Sequence, residues 1–284
     1  MKVLVAGGSG FIGSHIVRKF LDNRSEVWVL TRNPQKVQNN PLLKGVLFID
    51  LTEGWDYLEK LLTEIRPDII INTVGILYEG KGNTYRQAHV DFLEKLLKAS
   101  QKVSPRRFIH ISACGVGRNK ISRYFQTKEE GERLVTSSGI PYTIFRPSIV
   151  MGKGQLLLKQ LKVFGKFLPL LAVPKGSFQP LHIEDLAQAV FLSAVKEELK
   201  NRICEVGGPK VYTAGELFKE TLKLLGLKRL VIELPWQAFL PVLPVTGLLG
   251  VLTYEQLKMS QTPNVCPQNC LPKLVKNPKD PFEV

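Results

Sequence analysis

Residues 2–17 read KVLVAGGSGFIGSHIV: a run of small apolar residues from Lys2 to Ala6, a turn carrying Gly7, Gly10 and Gly13 at three-residue spacing, then a helical pattern. Each glycine has a separate task where a strand feeds such a turn. Gly7 permits a tight bend, Gly10 lets a pyrophosphate approach the main chain, and Gly13 lets the following helix pack closely on the strand. The phosphates would then rest on the N-terminus of the following helix, where free N–H groups and the dipole favour an anion, and Phe11 and Ile12 join the three glycines as expected cofactor contacts. The stretch therefore predicts a dinucleotide cradle, set against the plainer reading of a structural turn.

Working outward, short β-rich runs alternate with helical patterns: EVWVLTR, GVLFIDL, DIIINTVG, RRFIHISA and YTIFRPS between GSHIVRKFLDN, WDYLEKLLTEI, HVDFLEKLLKAS and YFQTKEEGERLVTSSG. Continuous apolar strands separated by helices mark a parallel sheet with crossovers. The fold class expected is α/β, a Rossmann-type doubly wound parallel sheet with a smaller, mainly helical C-terminal lobe. Residues 1–150 are expected to form the core and 151–284 the lobe, with 178–200 returning to the core. In the lobe, GQLLLKQLKVFGKFLPLL and AGELFKETLKLLGL read as helices. The tail from Thr262, rich in Pro, Asn and Lys, is expected to be loosely structured.

Which dinucleotide is bound is decided where the second strand ends. An acid there would hold the adenosine ribose, and a base can meet a 2′-phosphate. Thr31 and Arg32 occupy this place, with Lys36 beyond and Glu26 at the opposite end. This favours NADP(H) over NAD(H), the alternative being that Arg32 is only a solvated loop charge. Asp50, ending the third strand just before Leu51, either reaches the adenine amino group or caps the next turn of the chain.

The 284 residues carry 39 basic and 25 acidic side chains, a net charge of +14 that favours acidic partners without choosing among them. Nucleic acid is the weaker expectation, because no aromatic and basic platform accompanies the charge. Cys114, Cys204, Cys266 and Cys270 fit no metal-ligand spacing, so no metal is expected and reduced thiols are. His89, His110 and His182 stand apart from one another, which reads as packing or solvation. The apolar N-terminus runs into a glycine turn without a cleavage site, which predicts a cytoplasmic protein.

Several motifs together resemble the extended and atypical short-chain dehydrogenase/reductase superfamily: GGSGFIG, INTVG after the fourth strand, FIHISA at the fifth, YFQTK, FRPSIVMG and FQPLHIEDLAQAV. INTVGILYEG, SRYFQTKEEGE, SFQPLHIEDLA and CEVGGPKVYTAGEL are similar more narrowly to the group containing the nucleotide-binding accessory subunit of respiratory complex I and its bacterial relatives. The resemblance spans Lys2 to Met259. It implies a Rossmann fold holding NADP(H), a lobe over the cleft, Val74 and Gly75 beside the cofactor, and, in the respiratory relatives, a structural role beside a membrane complex.

Tyr124 and Lys128 lie four apart and so on one helical face, where an ammonium stabilises phenolate and can hold the nicotinamide ribose. In the superfamily this pair is catalytic and also contacts the cofactor. The plainer reading is an amphipathic surface helix. The third catalytic member, a hydroxyl, would be Ser112, although in the extended enzymes the acting residue commonly lies one position later, where this chain has Ala113. An active enzyme of this pattern would be an NAD(P)-dependent oxidoreductase or a sugar-nucleotide-type epimerase or dehydratase. Arg146, Gln179 and His182 are candidate cleft neighbours.

Two stretches raise a membrane surface as a partner, with the inner face as its place. Lys159, Lys162 and Lys166 interleave with leucines and phenylalanines, either as a helix lying on anionic lipid or as one packing its apolar face on the core. Leu234 to Leu252 carries no charge, and Pro235, Pro241 and Pro244 make a continuous spanning helix unfavourable, which leaves a buried segment or one at the membrane surface.

Overall fold

The computed structural model describes residues 1–80, 82–165, 168–248 and 252–283. The first half alternates β1 (Lys2–Ala6), α1 (Phe11–Asp22), β2 (Glu26–Thr31), α2 (Pro34–Gln38), β3 (Leu47–Asp50), α3 (Trp55–Ile65) and β4 (Ile69–Asn72). It continues with α4 (Phe92–Gln101), β5 (Arg107–Ile111), α5 (Arg123–Ser137) and β6 (Tyr142–Pro147). Next come β7 (Val150–Met151), α6 (Leu156–Phe164), β8 (Leu170–Pro174), β9 (Ser177–Phe178), β10 (Leu181–His182) and α7 (Ile183–Val195). The chain ends with β11 (Arg202–Val206), β12 (Tyr212–Thr213), α8 (Ala214–Leu224), β13 (Leu230–Leu234), α9 (Leu243–Leu248), α10 (Tyr254–Ser260) and α11 (Leu271–Leu274).

Two compact units are formed. One comprises Met1–Ser112, Thr127–Arg146 and Leu186–Cys204, the other Ala113–Gln126, Pro147–Asp185 and Glu205–Val284. The first is built on a seven-stranded sheet in the order β11-β6-β5-β4-β1-β2-β3. The ladders joining β1 to β2 and β4, β2 to β3, β4 to β5 and β5 to β6 are all parallel. Strand order reverses beside β1, the Rossmann arrangement that opens a crevice at the carboxyl ends of the central strands. Val3 to Ala6 of β1 and Ile69 to Ile71 of β4 are fully buried, which explains why these strands read as unbroken apolar runs. A buried cation interrupts the pattern: Arg107 opens β5 with 1% exposure, and its guanidinium donates to Thr143 Oγ1 (3.2 Å), the Ser193 carbonyl (3.1 Å) and Glu197 (3.3 Å).

In the second unit, β8 and β13 pair in parallel, Leu170 with Leu230 through Pro174 with Leu234. One face of this ladder packs on α8 through Val173, Val231, Ala214 and Leu222. The start of α8 is fixed by a reciprocal capping box between Thr213 and Glu216.

Two expectations are corrected here. The stretch 154–171 is not one helix: α6 ends at Phe164, before Gly165 and Pro169, and the chain resumes as β8. Lys166 of that stretch lies outside the described residues, as do 249–251 of the charge-free segment. The tail from Thr262 is docked, because asparagine amides stand in for a neighbouring strand. Asn264 Oδ1 accepts from Ser148 Oγ (2.6 Å) and the Ile149 amide (2.7 Å), and Asn269 exchanges two bonds with the Gly207 backbone. Further on, the Lys279 amide donates to Asp185, and the His182 ring meets the Glu283 carbonyl.

Candidate functional site

Where β1 and β4 end side by side, Thr73 donates both its amide and its hydroxyl to the Ala6 carbonyl, each at 2.9 Å. Asn72 Oδ1 accepts the Val74 amide at 3.1 Å and shapes the exit of β4. Gly7 takes a φ of +76°, and a Cβ at Gly13 would lie 2.3 Å from the Gly7 carbonyl and 2.7 Å from Gly8 Cα. The close approach of helix to turn therefore requires glycine at Gly13. α1 starts with Gly10 as its cap and has neither a side-chain acceptor on its first amides nor an acidic residue in its first turn. Such an end can receive an anion.

These elements open into a cavity of about 710 Å³ in the first unit, within the range of small-molecule sites. Of the residues expected to contact a dinucleotide, Gly7, Gly10, Thr31, Arg32, Leu51, Val74 and Gly75 line it. Phe11, Ile12 and Gly13 are not lining residues and stand behind the turn in α1. At the end of β2, the Thr31 hydroxyl accepts the Asn33 amide (3.0 Å) and so fixes the turn that presents exposed Arg32 and Lys36 to the rim. Among the described residues a third lining cation is Lys95, whose ammonium lies 5.6 Å from the Trp55 ring centroid. Asp50 also stays out of the lining. Its carboxylate accepts both the amide (3.0 Å) and the hydroxyl (2.8 Å) of Thr52, the capping alternative.

Trp55, Phe92, Lys95 and Gln87 also line the cavity, and sequence reasoning did not single them out. The available signal was positional: Trp55 begins the helix after the third strand, and Phe92 and Lys95 are three apart on one helical face.

Behind Gly75 lies a buried polar group. Lys128 Nζ would be 3.0 Å from a Cβ at Gly75, and it donates to the Ile111 carbonyl at 3.1 Å. Burial lowers its pKa to about 8. His89 Nε2 accepts the Ile76 amide (3.2 Å), so the neutral ring carries its proton on Nδ1 and donates to Thr127 Oγ1 (2.9 Å). Burial, reinforced by the Lys128 charge, lowers the His89 pKa to about 2. Ser112 Oγ donates to Glu132 Oε1 (2.5 Å), and the same carboxylate holds Arg146 through two bonds of 2.9 and 2.6 Å. Ser112 and Arg146 are thus joined through buried Glu132 in one network. Tyr124, in the second unit, is buried with its ring edge-on to Phe125, one helical turn from Lys128 along α5. Gln179 and His182 are buried polar members of the second unit, Gln179 donating to the Gly208 carbonyl at 2.8 Å. Among the described residues no cluster of side chains suits a metal ion.

The fold and cavity are those of a Rossmann-type protein with a dinucleotide-sized crevice at its strand-order reversal. Residues 3–207 match the NAD dependent epimerase/dehydratase family, and the chain belongs to it. It is 28% identical over 222 residues to the NADH dehydrogenase [ubiquinone] 1 alpha subcomplex subunit 9 of Arabidopsis thaliana, a match covering 75% of this chain and 55% of that one. It is 26% identical over 242 residues to the NADH-ubiquinone oxidoreductase 40 kDa subunit of Neurospora crassa, covering 84% and 64%. The chain therefore spans between a little over half and just under two thirds of the length of these mitochondrial relatives. In three dimensions it resembles a UDP-glucuronic acid 4-epimerase of Bacillus cereus solved with UDP-glucuronic acid and NAD, at a TM-score of 0.73 and 20% identity over 99% of this chain and 95% of that one.

Proposed function

We propose that this protein holds NADP(H) as a structural or regulatory ligand and works beside a membrane quinone-linked respiratory complex, on the inner, cytoplasmic face of the membrane. The observation that carries the cofactor reading is the rim of the cavity at the end of β2, where Arg32 and Lys36 stand and, among the described residues, no carboxylate follows the strand. Gly7, Gly10 and the uncapped start of α1 would hold the pyrophosphate, with Phe11, Ile12 and Gly13 supplying the first helical turn. Thr31 and Arg32 would meet the adenosine ribose and its phosphate, and Leu51, Val74 and Gly75 would border the adenine and the middle of the ligand, with Asp50 capping the turn behind Leu51. The relatives in respiratory complexes support the partner.

A holding role fits the chemistry of the neighbouring groups. Ser112 has its hydroxyl committed to Glu132, Ala113 offers none, and Lys128 donates to a main-chain carbonyl. The competing reading is an oxidoreductase or epimerase in which Tyr124 exchanges a proton, Lys128 steadies it and Ser112 orients a substrate oxygen. It is favoured by the one-turn spacing of Tyr124 and Lys128 on α5. The bound dinucleotide would supply the hydride.

The test is to denature the purified protein, identify the nucleotide released and measure affinity for NADPH and NADH in wild type and Arg32→Asp. The holding role predicts NADP(H) in the extract, a preference that Arg32→Asp reverses, and no substrate-dependent cofactor oxidation across a panel of carbonyl compounds and sugar nucleotides. Turnover that Tyr124→Phe abolishes would establish the enzyme instead.

A further inference from the structure

The β8–β13 ladder has two faces, and the register assigns every side chain to one of them. Successive strand residues point to opposite sides. The face on α8 takes Leu171, Val173, Val231 and Glu233, and the other takes the pairs Leu170 with Leu230, Ala172 with Ile232 and Pro174 with Leu234. That outer face is apolar at all six positions. It is also open at one end, where Leu230 is 63% and Leu170 is 43% exposed.

Two features say what covers it. The first is continuity: β13 runs directly into the charge-free segment, where Leu240 and Val242 are again exposed. The second is charge. From Met151 to Ile183 there is no acidic residue and there are five lysines, and from Thr221 to Ile232 there are only Lys223, Lys228 and Arg229. The ladder's one acid, Glu233, is drawn to the α8 side, where its carboxylate accepts the Gly215 amide. The cations gather at the open end, because Arg229 Nε donates to the Gly165 carbonyl (2.7 Å) and so ties the end of α6, with exposed Lys159 and Lys162, to the start of β13. Among the described residues no helix is long and apolar enough to cross a membrane.

We propose that the outer face of the β8–β13 ladder, with exposed Leu240 and Val242 after it and the cations at its open end, docks on the surface of an anionic phospholipid bilayer. Leu170 and Leu230 enter the acyl boundary while Lys159, Lys162, Lys228 and Arg229 meet the headgroups, the arrangement of an interfacial anchor made from a strand pair. The proposal rests on the reading that the protein works beside a membrane, and it is independent of which dinucleotide is held.

The test is sedimentation of the full chain with phosphatidylcholine vesicles, with and without phosphatidylglycerol, at low and high salt. Binding is expected only to the anionic vesicles and should weaken with salt. Lys228→Gln and Lys162→Gln, on the surface and harmless to the fold, should each weaken it about fivefold. The pair Leu170→Ser and Leu230→Ser should weaken it at least about tenfold, while an unchanged circular dichroism spectrum and a cooperative thermal melt show that the variant is folded. Absence of binding to anionic vesicles at low salt, or binding that none of these changes weakens, would overturn the proposal. In that outcome the nucleotide reading stands, and the apolar face belongs to a protein partner.

Discussion

Gly10 and Gly13 are identical residues three positions apart with opposite consequences on substitution. A Cβ at Gly10 meets only the Gly7 carbonyl, at 3.2 Å, whereas one at Gly13 runs into backbone. Gly13→Ala is therefore expected to destabilise the chain by about 3 kcal/mol. Gly10→Ala should cost about 1 kcal/mol or less yet weaken dinucleotide affinity strongly, a contrast that thermal melts with and without NADPH will resolve. His89 gives a prediction in pH. Its folded pKa is near 2, below the ordinary 6.5, so the unfolded chain binds the proton more tightly. The stability it contributes is present above pH 6.5 and is lost progressively as pH falls from there toward 2. His89→Asn should flatten this acid limb in urea titrations at successive pH values. Lys128 has the same direction at the alkaline end. Its folded pKa of about 8 lies below 10.5, so its burial is a cost at neutral pH that is relieved between about pH 8 and 10.5.

At the scale of elements, the tail is held by Asn264, whose amide stands where a neighbouring strand would be. Asn264→Ala is expected to cost about 2 kcal/mol, since it leaves the buried Ser148 hydroxyl and Ile149 amide without that acceptor. Hydrogen exchange at Ile149 and Gln179 should accelerate first. This contact also shows where sequence reading stops. β1 to β6 and their helices were legible because strands buried on both faces spell continuous apolar runs and α1, α3 and α4 keep a helical period. The tail was not, because Pro, Asn and Lys compose disordered segments equally well, and the distinction lies in what Asn264 and Asn269 meet far along the chain. The glycine turn and the cations after β2 were readable from local spacing. Trp55, Phe92 and Lys95 were not, since only the sheet order brings their helices to one cavity. Ser112 illustrates a further limit, because its commitment to Glu132 depends on a helix twenty residues away.

For the molecule as a whole, a ligand that binds only the folded chain must raise its stability by mass action. NADPH at one hundred times its dissociation constant should add about 2.7 kcal/mol, a rise of roughly 5 to 10 °C for a chain of this size. NADH at the same concentration should give a smaller rise. Differential scanning fluorimetry over a concentration series measures both.

Arg107 offers an internal clock for opening of the sheet. It sits in β5 between β4 and β6, sealed from solvent, with its guanidinium tied to β6, to the end of α7 and to Glu197. Trypsin cuts only an extended, accessible segment, so the bond from Arg107 to Phe108 can be cleaved only in molecules whose central strands have come apart, whereas surface lysines can be nicked by local fluctuation. Mass spectrometry that tracks this single peptide therefore counts global unfolding events under native conditions, without denaturant and with no label added to the protein.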